Sequence, residues 1–220
     1  MEGSRPTVTV APATCPVEVR CIRTLWRVPA AMSTAATDPN SIRYTVPGLE
    51  EKDAATVIDI LQQRLHALND LALTLKHVHW NVVGPNFIGV HTMLDPQVDS
   101  VRAMVDTVAE RIATLGGSPV GTPGALVTAR SWTDYSVRRA DTSAHLGALD
   151  LVYTGVIADH RAGIEQTGTI DPVTEDMLIA QSADLEQYHW FVRAHLENAD
   201  GTLRSAGAIT EQGAAREASA

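Results

Sequence analysis

Apolar residues along this chain recur in steps of three and four, and no stretch alternates residue by residue as a half-buried strand would. Four segments carry the helical period. The first runs from Glu50 to about Val82 on Leu61, Leu65, Leu68, Ala72 and Leu75. Pro47 and Gly48 precede it, and Glu50, Glu51 and Asp53 suit the positive end of a helix dipole. Gly84-Pro85-Asn86 breaks the pattern. The second segment runs from about Ile88 to Leu115 on Val98, Val101, Val105, Val108, Ile112 and Leu115. Pro96 falls inside it, which implies a kink or an early-turn position, and Gly116-Gly117 ends it. The third spans about Val137 to Gln166 on Leu146, Leu149, Val152, Val156, Ile157 and Ile164. Beyond Gly168 and Asp171-Pro172, the fourth spans about Val173 to Asn198 on Leu178, Leu185, Val192 and Leu196.

Four long helices without a strand pattern predict an all-α, four-helix bundle. Residues 116–136 are a long connection, which fits a crossover leaving helices two and three parallel, with one short extra helix inside it. The glycines of SPVGTPGALVTARSWTDYS lack the GK[ST] of a phosphate loop and read as turns. The bundle is expected over residues 45–200. Residues 1–44 read as a disordered arm, rich in proline and without helical period. Met32 opens a natural-looking N-terminal lead-in, so the chain has two candidate starts and residues 1–31 need not be translated. Residues 201–220, with many small and polar side chains, read as a disordered tail.

Composition narrows the function. The net charge of −9 argues against blanket attraction to nucleic acid or anionic membranes and suits attraction of cations. Without residues 1–31, which hold four arginines and two glutamates, 13 basic residues face 24 acidic ones, a net of −11. No apolar run reaches the ~18 residues of a membrane span. Cys15 and Cys21 are the only cysteines, so no disulfide framework holds the fold. With no address in the sequence, a cytoplasmic location is expected.

The stretch HWNVVGPNFIGVHTMLD brings His79, His91 and Asp95 around one short break. On a wheel at about 100° per residue with His91 at the origin, Asp95 falls at about 40°, Asp106 at about 60° and Glu110 at about 100°. The apolar residues of the same helix centre at about 300°. One imidazole and three carboxylates therefore share a strip beside the core face. Asp106 and Glu110 repel each other across one turn, and a shared cation would reverse that cost. Nitrogen with carboxylate oxygen is a ligand set that suits iron or zinc. Asp95 and Asp106 lie ~16 Å apart along the axis, so one metal cannot touch both. Each pair looks like half a site. A two-fold mate running antiparallel could bring its Asp106 and Glu110 to His91 and Asp95, and would make two sites. The Gly84-Pro85 break lets His79 fold back beside His91. The residues alone leave two readings open: this metal strip, or a structural histidine beside a solvated acidic face.

HWNVVGPNFIGVHTMLD followed by DTVAERIATLGG closely resembles the Dps-type miniferritins, the DNA-binding proteins from starved cells. The resemblance covers about residues 45–200, including SWTDYS and the last long helix. It implies a ferritin-like bundle that assembles, by two-fold dimers, into a hollow dodecamer. It implies an intersubunit ferroxidase site with His79, His91 and Asp95 from one subunit and Asp106 and Glu110 from its mate. All five are present. Trp80 matches the family's tryptophan beside the site, where packing between helices is the expected role and redox contact a secondary one. The implied chemistry is oxidation of Fe(II), preferentially by hydrogen peroxide, and storage of the ferric product, which protects against oxidative damage.

Two other readings compete. Glu186 and His189 form an E-x-x-H on the fourth helix, the spacing used by intrasubunit di-iron or di-manganese enzymes, but no second such motif accompanies it. They read as surface or cavity residues. His66, His77, His145, His160 and His195 have no partner at ligand spacing, and Lys76 either pairs with a carboxylate or is solvated. The second alternative is a nucleoid-binding, DNA-protecting protein with a minor iron role. The tail from Glu197 onward carries Arg204 and Arg216 against four acids and no lysine, a net of −2. The arm's Arg5, Arg20, Arg23 and Arg27 give residues 1–31 a net of +2. DNA contact thus has weak support, since it needs clustered positive charge.

Overall fold

The computed structural model describes Ile42 and residues 44–220. The expected disordered arm over 1–44, the alternative start at Met32, Cys15 and Cys21 therefore lie outside the described residues, apart from Ile42 and Tyr44. Helix α1, Glu51–Asn81, buries Leu61, Leu65, Leu68 and Leu75 on one stripe. It stops where Val82–Val83 become extended as β1. Gly84 at φ +88° and Asn86 at φ +62° then reverse the chain in the left-handed region, which glycine and asparagine enter at least cost. Helix α2, Phe87–Thr114, returns along α1 and buries Val98, Val101, Val108 and Ile112. Pro96 lies inside α2, not in its first turn.

The crossover holds the short helix α3, Pro123–Ala129, started by proline at its first turn and anchored by buried Leu126. Helix α4, Thr142–Thr167, and helix α5, Pro172–Leu196, form the second hairpin. Direction follows from two contacts. Thr142 at the start of α4 donates its hydroxyl to the Pro85 carbonyl just before α2. Arg111 near the end of α2 reaches Asp171 and Thr174 at the α4–α5 turn. Helices α2 and α4 therefore run the same way, as the long crossover implied. The result is an all-α four-helix bundle with an extra helix in the crossover, closed around a main apolar core, with a smaller cluster of Val137, Ala144, Ala148 and Ala215 besides. No helix among the described residues is long and apolar enough to cross a membrane.

Two expectations are corrected. Helix three does not begin near Val137. Ala140–Asp141 form β2, paired in parallel with β1 in the register Val82↔Ala140 and Val83↔Asp141, and the Asp141 side chain accepts the Ala144 N–H as the cap of α4. Two-residue strands leave no period to read. The tail over 201–220 is not a disordered segment either. Glu211–Ser219 form a helix, α6, lying on α4. Thr210 caps it by accepting the Gly213 N–H, while Ala214, Ala215 and Ala218 are buried. A Cβ at Gly147 of α4 would sit 2.6 Å from the Ala214 carbonyl oxygen, so only glycine permits this approach. Composition misled because alanine and glycine look like tail residues, although they are what close helix contact requires.

Candidate metal centre

The Gly84–Asn86 reversal sets the end of α1 against the first turns of α2. The His79 and His91 rings stack with centroids 3.7 Å apart at 23°. Each Nδ1 lies 3.0 Å from the other residue's backbone carbonyl oxygen. A carbonyl can only accept, so each Nδ1 donates, which leaves Nε2 as the nitrogen available to a metal. This is how metal-binding imidazoles are commonly oriented. His79 is buried and His91 half-buried, with Phe87 tilted against the His91 ring at 5.0 Å.

Asp95 stands one turn beyond His91. Its Oδ1 accepts from Lys76 Nζ at 2.7 Å and lies 3.4 Å from His79 Nδ1. The Lys76 hydrogen bond, against a desolvation cost and with smaller electrostatic help from His79, Lys76 and His91, holds its carboxyl below the usual carboxylate range. Of the two possibilities for Lys76, the ion pair is the one observed.

Asp106 and Glu110 lie further along α2 and are exposed. Neither carboxylate has a hydrogen bond or ion pair among the described residues. Within one chain, then, the structure brings His79, His91 and Asp95 together and leaves Asp106 and Glu110 apart. Among the described residues, no three imidazoles, thiolates or carboxylates of one chain converge closely enough to hold a metal ion. Trp80 corrects an expectation: it does not pack between helices of its own chain but is 71% exposed. Leu73, one heptad earlier on α1, and Ile88 on α2 are exposed too. The half-site is bordered by apolar side chains that α1 and α2 do not cover.

The other histidines have local tasks. His66 lies against the Val120 carbonyl, His77 against that of Val137, and His195 against that of Phe191. His145 contacts the Tyr135 hydroxyl and His160 the Gln181 amide. Burial first of all pushes both His145 and His160 down to about 4, so they are neutral at pH 7. The E-x-x-H of α5 is also committed. Glu186 pairs with Arg161 at 2.6 Å, and buried His189 sits 2.7 Å from Asp150, which Arg193 also contacts at 2.7 Å. Sequence reasoning missed Asp150. The signal was a lone carboxylate inside the apolar run LGALDLVY.

A model of the ferritin-like domain matches residues 58–202. A DNA protection during starvation protein of Mycolicibacterium smegmatis is 61% identical over 175 residues, which cover 80% of this chain and 96% of that protein. This chain is a Dps-type member of the ferritin-like family. The DpsA14 structure from Streptomyces coelicolor shares 66% identity with this Dps chain at a TM-score of 0.74, over 74% of this chain and 98% of that one. An archaeal Dps homologue from Halobacterium salinarum superposes at 0.66 with 27% identity, over 81% of this chain and 97% of that one.

Proposed function

We propose that this Dps-family protein is a ferroxidase and iron store. In this reading it forms two-fold dimers within a hollow dodecamer and oxidises Fe(II), preferentially with hydrogen peroxide, at sites shared between subunits. His79, His91 and Asp95 come from one subunit, and Asp106 and Glu110 from its two-fold mate. The observation that carries the reading is the reciprocal His79–His91 pair, which leaves two Nε2 lone pairs free beside an ionised carboxylate. Lone Asp106 and Glu110 on the same helix supply the complementary half, and the uncovered Leu73, Trp80 and Ile88 supply apolar surface for a mate.

Each of two Fe(II) ions gives one electron to hydrogen peroxide, whose O–O bond breaks. With two waters the products are two ferric oxyhydroxide units and four protons. Imidazole and few carboxylates leave coordination positions open for the oxidant, and carboxylate oxygen favours Fe(III) over Fe(II). Trp80, next to His79 in the chain and exposed, is the candidate for electron exchange with the site. The acidic chain attracts Fe(II) and nucleates mineral in the cavity. Consuming iron and peroxide together protects DNA without contact with it, which accounts for the name of the relatives. The protein works in the cytoplasm, within reach of the nucleoid.

Stopped-flow absorbance tests this function. The wild-type cage is expected to oxidise Fe(II) with hydrogen peroxide far faster than buffer does, and Glu186→Gln is expected to match it, because Glu186 serves Arg161. A rate lost in Glu186→Gln with the cage intact would move the chemistry into the bundle.

A further inference from the structure

Between α1, α4, the 132–136 loop and the lead-in to α6 lies a cavity of about 580 Å³ that the iron reading does not use. Its volume is that of a site for a small organic molecule. Leu71, Val156, Trp132 and Tyr135 are among its lining residues. Asp70 and Glu211 stand in the same wall. Their charges are unevenly met. Asp70 accepts the Trp132 indole N–H and shares Arg130 with Asp134, whereas Glu211 accepts only the Ser136 N–H and hydroxyl among the described residues. No cationic side chain pairs with Glu211 among the described residues, and burial first, with Asp134 and Asp70 adding to it against the Ser136 hydrogen bonds, pushes its carboxyl up.

Two further observations point to an occupant. Thr74 lines the cavity, and its hydroxyl has no hydrogen-bond partner among the described residues. A ligand donor or acceptor would take the place of water on it. Gly155, inside α4, also lines the cavity, and a Cβ built there meets no atom within 4 Å. Glycine weakens a helix relative to alanine, and here no close neighbour demands it. What it leaves is open space at an exposed position on the cavity's rim.

We propose that this cavity binds an organic monocation with an aromatic or similarly flat apolar body. The ammonium would sit between Glu211 and the faces of Trp132 and Tyr135, where carboxylate and π-cloud both attract positive charge. The body would lie along Leu71 and Val156, with its far end over Gly155 at the rim.

The test uses the assembled full-length protein and two soluble probes of equal shape, 2-phenylethylammonium and neutral 2-phenylethanol, in isothermal titration calorimetry at pH 7. Saturable binding of the ammonium at one per chain is expected, at least about tenfold tighter than the alcohol. Gly155→Trp sets a bulky ring on the cavity's rim and is expected to abolish binding of both probes, with helix content and cage size unchanged. Glu211→Gln is expected to remove most of the ammonium's advantage while leaving the alcohol as it was. No saturable binding by the wild type, equal affinity for the two probes, or undiminished binding by Gly155→Trp would each overturn the proposal.

Discussion

Asp106→Ala is expected to slow oxidation of Fe(II) by hydrogen peroxide about 100-fold and to leave stability unchanged to within about 0.5 kcal/mol. The two halves of this expectation come from one observation. The Asp106 side chain is exposed and has no partner among the described residues of its chain, so removing it breaks nothing in the fold. In the proposed shared site, however, it would be a ligand. Even partners that only orient a ligand cost 10–100-fold when lost, so a ligand itself should cost the upper end. Initial rates by stopped flow and the unfolding midpoint of the same preparation check both halves. A normal rate would remove Asp106 from the site, and a large fall in stability would mean that its exposure is misread.

The largest effect on stability is expected far from the metal centre, at Asp171. This carboxylate is 5% exposed and closes a triangle that ties the end of α2 to the start of α5. Arg111 Nη2 donates to Asp171 Oδ2 at 2.6 Å, Arg111 Nε donates to Thr174 Oγ1 at 3.0 Å, and the Thr174 hydroxyl donates to Asp171. Asp171→Ala leaves Arg111 nearly buried without its counter-charge, at a cost of about 3 kcal/mol. The pH dependence carries a signature. Burial pushes the Asp171 carboxyl up, but the Thr174 and Arg111 hydrogen bonds and the Arg111 charge outweigh it and hold it below its usual value. A carboxyl depressed in the folded state contributes its full stability above the unfolded value of about 4 and loses it as pH falls through the folded value. Denaturant unfolding should therefore show the wild type weakening below about pH 4 and Asp171→Ala weakening less over the same window. Parallel curves would mean that the triangle contributes no charge-linked stability.

The parts of this molecule that were legible in its sequence are those with a period or a motif. The four helices declare themselves through Leu61 to Leu75, Val98 to Ile112, and their counterparts in α4 and α5, because burial on a cylinder repeats in steps of three and four. The break between His79 and His91 is legible because Gly84 and Asn86 are residues that enter the left-handed region. Features built from single contacts were not. The β1–β2 pair is two residues long. Helix α6 is held by alanines against Gly147, and only the neighbour makes that face apolar. The Asp150–His189–Arg193 cluster joins residues of two helices across the bundle. At the centre itself, the spacing from His79 to Asp95 could be read along the chain, but the reciprocal hydrogen bonds that free both Nε2 atoms depend on how the turn closes. Trp80 shows the opposite limit. Packing between helices is the expected role of this indole, yet in one chain it faces outward, on a surface that the proposed dimer would cover.

That dimer is the central claim, and subunit complementation tests it most directly. His79→Ala and Asp106→Ala chains are each expected to assemble cages without fast peroxide-driven oxidation. Co-assembled in equal amounts, half of the two-fold dimers are mixed, and each mixed dimer unites an intact His79 with an intact Asp106 at one of its two sites. The mixed cages should recover about a quarter of the wild-type rate per chain. Mixed cages, verified by native mass spectrometry, that oxidise iron no faster than either variant alone would contradict a site shared between subunits.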